Sequence, residues 1–429
     1  MAEKRKASRK NGGISRRQAC RIGMAAALAA ARPDAVMQTV LAAAGDAGGK
    51  QMTSKLHIAV IGAGAFGGWT ALYLRRSGAR VTLLDAWGPG NSRASSGGET
   101  RVMRGAYGPD QPYTQMAARA MELWDDNERR WNQKFFHRAG VLWMVEGDGQ
   151  FERGSLRLLQ DAKIPFAELS AADLQRRWSQ INFENVKWGI WEPQSGYLLA
   201  RASTQAVVDH FVAEGGEYRA ATASAQNLEE AGWKTLALSD GTTITADRYV
   251  FACGPWLGRL FPLTVGPHFR ATKQDIFFFG TPAGDYRYDE GRTPVWADHS
   301  DHFMYGIPGN QNRGFKLADD TRGAEFDPTN GQRVVDDDRL AAARRYLAYR
   351  FPGMKDAPLV EARVCQYENT TDHNFIIDRH PANPAVWMIG GGSGHGFKHG
   401  PALGELTARL VLKDETAQPV YRLARFNRK

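Results

Sequence analysis

Three glycines and one aspartate are spaced in a way that indicates a dinucleotide-binding turn. Gly62, Gly64 and Gly67 follow the apolar run 57–61 and open an amphipathic segment. Gly62 permits a tight turn, Gly64 lets the backbone approach a pyrophosphate, and Gly67 lets the helix pack closely on the strand. Asp85 ends the next apolar run, eighteen residues after Gly67, where a carboxylate can accept ribose hydroxyls. The spacing predicts a βαβ unit of the Rossmann type, whose helix N-terminus favours phosphate.

Helical and strand patterns alternate along the rest of the chain. Apolar residues at helical spacing predict helices at 115–131, 202–215, 340–350 and 403–412. Short apolar runs predict strands at 140–145, 248–254 and 385–389. The aromatic-rich stretch 263–330 favours an antiparallel sheet. At 429 residues the chain is long enough to form the cores of two domains.

Five short segments, in order along the chain, carry a family resemblance. They are 98–108 (GETRVMRGAYG), 192–196 (EPQSG), 364–367 (VCQY), 372–378 (DHNFIID) and 392–398 (GSGHGFK). With these motifs the chain, from about residue 56 onward, resembles the monomeric sarcosine oxidase and N-methyl amino acid oxidase family of the D-amino-acid-oxidase superfamily. The resemblance implies an α/β fold in which a Rossmann-type FAD-binding domain is interleaved with an α+β substrate domain built on a mixed, largely antiparallel sheet.

The interleaving implies discontinuous domains. Residues 1–52 are expected to form an export signal and linker. The FAD-binding domain is expected at 53–135, 199–262 and 361–429. The substrate domain is expected at 136–198 and 263–360.

The resemblance also implies that FAD is held covalently, by a bond from the Cys365 sulfur to the 8-methyl carbon of the flavin ring. A thiolate is the nucleophile such a bond needs. Without its flanking motif Cys365 would be interpreted as an inert buried cysteine, which is the interpretation kept for Cys253. The other cofactor-binding residues implied by the motifs are Arg101, Gly394, His395 and Gly396.

Four more residues match substrate-side positions of the family. Arg104 and Lys398 resemble the pair that grips a substrate carboxylate, for which a guanidinium fork and an ammonium are well suited. Lys316 resembles the lysine that promotes reaction of the flavin with O2, because a fixed cation stabilises developing superoxide. Tyr305 matches a tyrosine that donates a hydrogen bond to substrate. For each lysine and arginine the plainer alternative is a solvated surface cation.

The implied activity is an FAD-dependent amine oxidase acting on a secondary amino acid. Hydride leaves the carbon next to nitrogen, the resulting imine hydrolyses, and O2 is reduced to H2O2. A flavin dehydrogenase with a respiratory acceptor, an NAD-dependent dehydrogenase and a non-catalytic flavin-binding protein remain alternatives. No metal is expected, since the sequence holds no Cys/His ligand cluster.

Two positions depart from the family pattern. Ser96-Gly97 stands where sarcosine oxidases of the family carry a His-His pair, and Asp320 stands where they have a histidine, four residues after Lys316. In the related fructosyl amino acid oxidases an acidic residue at this position takes sugar hydroxyls. Asp320 is therefore expected to face a larger, hydroxylated or cationic N-substituent, unless 319–323 is simply a solvated turn.

The positive charge of the chain is concentrated at its start. The formal net charge is +9, of which residues 1–44 carry +7 and the remainder +2, so no nucleic-acid partner is expected. A basic stretch, Arg16-Arg17, a short alanine-rich run and Ala42-Ala43-Ala44 predict a twin-arginine export signal. The run is too short for a stable membrane span. A periplasmic or secreted protein is expected, the alternative being a basic tail.

Overall fold

The computed structural model describes residues 55–300 and 302–427, so the predicted export signal lies outside the described residues. The strands, in chain order, are β1 (His57–Ile61), β2 (Arg80–Asp85), β3 (Thr100–Met103), β4 (Phe136–His137), β5 (Val141–Glu146), β6 (Ala167–Ser170), β7 (Val186–Glu192), β8 (Gly196–Leu199), β9 (Glu217–Ala220), β10 (Thr235–Ala237), β11 (Thr243–Thr245), β12 (Arg248–Phe251), β13 (Phe269–Phe279), β14 (Val295–His299), β15 (Phe303–Ile307), β16 (Phe315–Asp319), β17 (Leu359–Thr370), β18 (Ile376–His380) and β19 (Asn383–Gly390). The α-helices are α1 (Ala65–Arg76), α2 (Gln111–Trp131), α3 (Gln150–Asp161), α4 (Ala171–Arg177), α5 (Ala200–Ala213), α6 (Leu257–Leu260), α7 (Asp337–Arg350) and α8 (Gly400–Lys413).

A six-stranded sheet carries the glycine turn. Its strand order is β18-β19-β12-β1-β2-β9. All neighbours run parallel except β18, which is an antiparallel edge strand. Helix α1 packs between α5 and α8 on the sheet. Ile58, Val60 and Leu83 on one face and Ala59 and Leu84 on the other are buried, as expected for a parallel sheet covered on both faces.

An eight-stranded sheet forms the second layer, with the order β17-β13-β16-β15-β14-β5-β7-β6. Only the β14/β5 pair is parallel. Ala343 and Leu347 of α7 pack on one face against Phe277, Trp296 and Phe315. The two sheets confirm the predicted α/β fold with a mixed, largely antiparallel second sheet.

The boundaries of the elements differ from prediction in identifiable ways. Helix α2 begins at Gln111, four residues before the predicted start. Pro112 in the first turn is well suited to a helix N-terminus, but it does not extend the apolar spacing on which the prediction was based. The predicted domain boundary at 361 falls inside β17, which pairs with β13 from Phe269 to Phe279. The two-domain division itself stays a prediction. Among residues 55–300 and 302–427, no helix combines the length and apolarity that crossing a membrane requires.

Candidate active site

The turn after β1 is closed so tightly that side chains are excluded from it. Gly62 has a φ of +105°, and a Cβ there would lie 2.3 Å from the carbonyl oxygen of Ala252. A Cβ on Gly67 would lie 1.8 Å from the carbonyl oxygen of Gly62. Gly64 precedes the first residue of α1 and offers no capping side chain. The Ala65 N–H donates to the Ser96 hydroxyl at 3.1 Å, and the helix N-terminus favours an anion bound beside it.

Asp85 lies beside this turn, as predicted, but its carboxylate already has partners. Oδ2 accepts the N–H of Ala63 at 2.7 Å, and Oδ1 accepts the N–H groups of Trp87 at 2.9 Å and Gly88 at 2.8 Å. Burial raises the pKa of Asp85 above its ordinary value, and these three N–H donors oppose that rise. The side chain both fixes the turn and still contributes to the cavity wall.

A cavity of about 320 Å³ extends from the glycine turn to the eight-stranded sheet. This volume is within the usual range for ligand sites. The predicted site residues that line it are Gly62, Gly64, Asp85, Arg101, Arg104, Tyr305, Asp320, Gly394, His395, Gly396 and Lys398. Gly67 lies beneath the turn, while Lys316 and Cys365 line a smaller pocket that shares Arg101 with the cavity. A closed glycine turn, a helix N-terminus and a cavity that reaches from the turn to the second sheet together fit a dinucleotide such as FAD.

Two cations that line the cavity, Arg104 and Lys398, both lie against the ring of Tyr107. The Arg104 guanidinium lies over the rings of Tyr107, 4.2 Å from its centroid, and Trp143, 5.1 Å away. Lys398 Nζ donates to the carbonyl oxygen of His395 at 2.8 Å. Burial, reinforced by Arg104, lowers the pKa of Lys398 well below its ordinary value. A carboxylate between these two side chains would relieve their mutual repulsion.

Lys316 is not a surface cation, because only 1% of it is exposed. Its Nζ donates to the carbonyl oxygen of Thr100 at 3.0 Å. Burial, with Arg101 as the next cause, lowers the pKa of Lys316 to about 7. Its ammonium lies 5.6 Å from the ring centroid of Tyr305. The lysine therefore lies beside the predicted flavin site and can change charge near neutral pH.

The two cysteines have different surroundings. Cys365 is partly exposed, and Nη2 of Arg101 lies 3.4 Å from its sulfur. Cys253 directs its thiol to the carbonyl oxygen of Ile61 at 3.4 Å, and burial raises its pKa. A thiol that is held neutral is a poor nucleophile. The two cysteines therefore differ in their contacts, although both are partly exposed and Cys253 also lines the cavity.

Asp320 lies in a hydrogen-bonded cluster. Its Oδ1 accepts the hydroxyl of Tyr367 at 2.8 Å and its Oδ2 accepts Nη1 of Arg322 at 3.0 Å. Burial raises the pKa of Asp320, and Arg322 opposes this most strongly. The side chain lines the cavity. The alternative of a freely solvated turn therefore fails for Asp320, although its neighbour Asp319 is paired with Arg339 at the surface.

Sequence reasoning gave no role to three polar residues around the site, the buried Glu192 and Tyr107 and the partly buried Glu368. The Glu192 carboxylate accepts the N–H groups of Gly105 and Ala106 and thereby holds the turn after Arg104. The Ser95 hydroxyl donates to Glu368 at 2.5 Å, and burial raises the pKa of Glu368 to about 7. Tyr107 accepts a hydrogen bond from Lys398. Glu192 and Tyr107 stand inside the quoted motifs, but their partners are distant in sequence.

Comparison with known proteins gives consistent matches over most of the chain. The family model described as FAD dependent oxidoreductase matches residues 57–410. Monomeric sarcosine oxidase of Streptomyces avermitilis is 29% identical over 381 residues, which cover 86% of this chain and 97% of that protein. N-methyl-L-tryptophan oxidase of Yersinia pestis is 28% identical over 377 residues, covering 86% of this chain and 98% of that protein.

Solved structures show the same architecture. L-proline dehydrogenase from P. horikoshii superimposes with a TM-score of 0.74 at 20% identity, covering 87% of this chain and 98% of that chain. Amadoriase I from Aspergillus fumigatus, a fructosyl amine:oxygen oxidoreductase, superimposes with a TM-score of 0.69 at 21% identity, covering 87% and 90%. At these identities the likeness bears on the fold alone.

Proposed function

The chain belongs to the family of FAD dependent oxidoreductases, and from this premise we propose that it is an oxidase for the C–N bond of a secondary amino acid, with O2 as electron acceptor. The observation that carries the proposal is the pair Arg104 and Lys398, which line the same cavity as the glycine turn. When bound, FAD supplies the acceptor for two electrons. The substrate domain must then supply binding, orientation and the correct protonation state.

Arg104 and Lys398 would bind the substrate carboxylate and thereby fix the position of the α carbon. Their charges also disfavour a nearby ammonium, so they help to keep the substrate nitrogen neutral, as oxidation of the C–N bond requires. Trp296 and Phe303 contribute apolar surface to the same cavity. They exclude water and accept the apolar part of the substrate.

We propose that Cys365 is the point of covalent FAD attachment. The proximity of the Arg101 guanidinium to the sulfur supports this proposal. Lys316 is proposed to assist reduction of O2, because a buried cation beside the site would stabilise developing superoxide. Its placement favours an oxidase over a dehydrogenase that uses a respiratory carrier.

Asp320 favours a fructosyl-type substrate as a second candidate. Its carboxylate, Tyr367 and Arg322 form a polar end of the cavity that would suit a polyhydroxy group. A simple N-methyl group would form no hydrogen bond with these polar side chains, which pair with one another. The two candidate substrates, sarcosine and a fructosyl amino acid, therefore differ in whether they use this cluster.

We further propose that residues 1–52 direct export by the twin-arginine route to the periplasm or outside the cell. Arg16-Arg17, the short apolar run and Ala42-Ala43-Ala44 support this assignment. Fractionation of cells that express wild type and an Arg16→Lys/Arg17→Lys double variant tests it. A double variant exported as efficiently as wild type would refute the assignment.

The central experiment follows flavin absorbance and O2 consumption in the purified holoenzyme. Candidate substrates are sarcosine, N-methyl-L-tryptophan, L-proline and fructosyl-glycine. Arg104→Met should raise KM for the oxidised substrate at least tenfold, as expected for loss of a charged partner, whereas Arg157→Met, on the exposed face of α3, should leave it unchanged. A flavin-loaded protein reduced anaerobically by none of these amines would overturn the proposed function.

A further inference from the structure

Tyr107 lies directly behind the two cations of the candidate active site. It is 4% exposed and is not among the residues that line the cavity. One face of its ring lies 4.2 Å from the Arg104 guanidinium, and its hydroxyl accepts a hydrogen bond from Lys398 Nζ at 2.9 Å. We propose that Tyr107 is the positioning residue that sets the carboxylate-binding pair, an inference that rests on the proposed function of Arg104 and Lys398.

The hydroxyl of Tyr107 has a fixed direction because of His399. Nε2 of His399 lies 2.7 Å from the Tyr107 oxygen, whereas Nδ1 of His395 is 3.4 Å away. Burial and Lys398 lower the pKa of His399 well below its ordinary value, which favours the neutral ring. With the ring proton on Nδ1, Nε2 accepts a hydrogen bond from the Tyr107 hydroxyl. In that tautomer the hydrogen bonds run from Lys398 to Tyr107 and on to His399, with Lys398 as the donor to Tyr107.

This arrangement leaves one N–H of the Lys398 ammonium for a ligand. An ammonium has three N–H donors, of which one goes to Tyr107 and one to the carbonyl oxygen of His395. The Nζ direction is thus determined by two acceptors, and the third N–H remains for the cavity that Lys398 lines. Removing the Tyr107 hydroxyl would free the lysine to turn away from Arg104.

The same hydroxyl influences the charge of Lys398. Arg104 and burial favour the neutral amine, while Asp320 and Glu192 favour the ammonium; the neighbouring imidazoles of His395 and His399 are neutral. A hydrogen bond accepted from the ammonium favours the charged form. Loss of the hydroxyl should therefore lower the pKa of Lys398 further. Carboxylate binding would then be lost at a lower pH than in wild type.

A binding titration with a non-oxidisable carboxylate tests this role without relying on turnover. Methoxyacetate matches N-methylglycine in shape but has an ether oxygen in place of the nitrogen, and methoxyacetamide is its uncharged counterpart. The Kd of each is read from the absorbance change of the bound flavin, across pH. Tyr107→Phe should weaken the binding of methoxyacetate by about tenfold, as expected for the loss of one charge-assisted hydrogen bond. It should also lower the pH above which methoxyacetate no longer binds. The binding of methoxyacetamide should stay unchanged.

Tyr113→Phe is the matched control. Tyr113 stacks 5.5 Å from Tyr107 in the same buried cluster, but its hydroxyl donates to Asn374 and accepts from the N–H of Phe375. This variant should bind methoxyacetate as wild type does.

His399→Leu and His399→Gln form a second pair of variants that keeps Tyr107. Glutamine retains a hydrogen-bond acceptor and should preserve the affinity for methoxyacetate, whereas leucine should reduce it.

The outcomes separate the inference from the function on which it rests. A wild type that binds methoxyacetate no better than methoxyacetamide would refute the carboxylate site and the proposed function with it. Selective binding by wild type that persists unchanged in Tyr107→Phe would overturn the role of Tyr107 alone. If Tyr107→Phe fails to load flavin, equal affinities of His399→Leu and His399→Gln for methoxyacetate would overturn the role of Tyr107 instead.

Discussion

Nη2 of Arg101 lies 3.4 Å from the sulfur of Cys365, although the two residues are 264 positions apart in sequence. The guanidinium cannot easily move away, because it also donates to the carbonyl oxygens of Thr100 at 2.8 Å and Ser95 at 2.5 Å. A cation held in this way stabilises the negative charge that the sulfur carries when it acts as a nucleophile. The contact gives the flavin-attachment prediction a physical basis.

Cys365→Ala should convert covalently bound flavin into releasable flavin, or prevent loading. The measurement is flavin absorbance in the supernatant after acid precipitation, compared with the pellet. Cys253→Ala is the control and should keep its flavin in the pellet, because the Cys253 thiol donates to the Ile61 carbonyl oxygen instead of facing Arg101. Release of all flavin from wild type would show that no covalent bond forms.

Lys316→Met should slow reoxidation of the reduced enzyme by about 100-fold or more, the scale of a removed electrostatic stabiliser. Anaerobic reduction by substrate should change much less, because the lysine is predicted to act on O2. Stopped-flow absorbance measures both halves separately. Lys413→Met, at the exposed end of α8, is the control. Equal slowing of both halves in Lys316→Met would contradict the assignment.

Reoxidation should also depend on pH through Lys316. Its folded-state pKa is lowered from 10.5 to about 7, so the ammonium is present below about pH 7 and is lost as the pH rises through that value. The rate of reoxidation should fall over the same window. Lys316→Met should lack this step, and a pH profile identical to wild type would show that another group causes it.

The substrate preference of the enzyme should depend on Asp320. We expect wild type to have a higher kcat/KM for fructosyl-glycine than for sarcosine, and Asp320→His to reverse or reduce that ratio. Asp320→Asn keeps the shape of the side chain and isolates the effect of charge. A wild type that prefers sarcosine, with the ratio unchanged in both variants, would remove the sugar-binding role.

Two adjacent glycines of α1 provide a matched test of the cofactor turn. A Cβ on Gly67 would lie 1.8 Å from the carbonyl oxygen of Gly62, whereas one on Gly68 would lie 3.4 Å from Val207 Cγ1, an ordinary contact. Gly67→Ala should therefore lower both flavin content and Tm. Gly68→Ala should retain flavin and gain up to about 1 kcal/mol in helix stability. Similar losses in both variants would mean that helix composition, not the turn, is responsible.

The parts of the site that could be predicted from sequence are those with local signatures. Gly62, Gly67 and Asp85 belong to one βαβ unit, so their spacing alone indicated their positions. Tyr107 could not be assigned in the same way, because its partner His399 is 292 residues away. Such pairs depend on how strands and loops from distant segments meet, which periodicity does not encode.

The fold shows the same difference between features with a local sequence pattern and features that depend on distant segments. The existence of most helices was predictable from apolar spacing, whereas their first turns were not, as with the four extra residues of α2. The long pairing of β17 with β13 also escaped prediction, because a twelve-residue strand with mixed burial lacks a clean alternation of apolar and polar residues. The division at residue 361 was drawn without knowledge of that pairing.

The strand order of the six-stranded sheet has a consequence for synthesis of the protein. Strand β1 lies between β2 and β12, and β12 in turn pairs with β19, which begins at Asn383. Nearly 300 residues separate Asp85 from that strand, and a ribosome adding roughly 5–20 residues per second needs on the order of 15–60 s to reach it. The nascent chain therefore exposes the βαβ unit long before its neighbours are translated. Because Lys398 and its neighbours also line the cavity, the cofactor site is complete only when translation is nearly finished. A chain truncated before residue 383 would lack this part of the site.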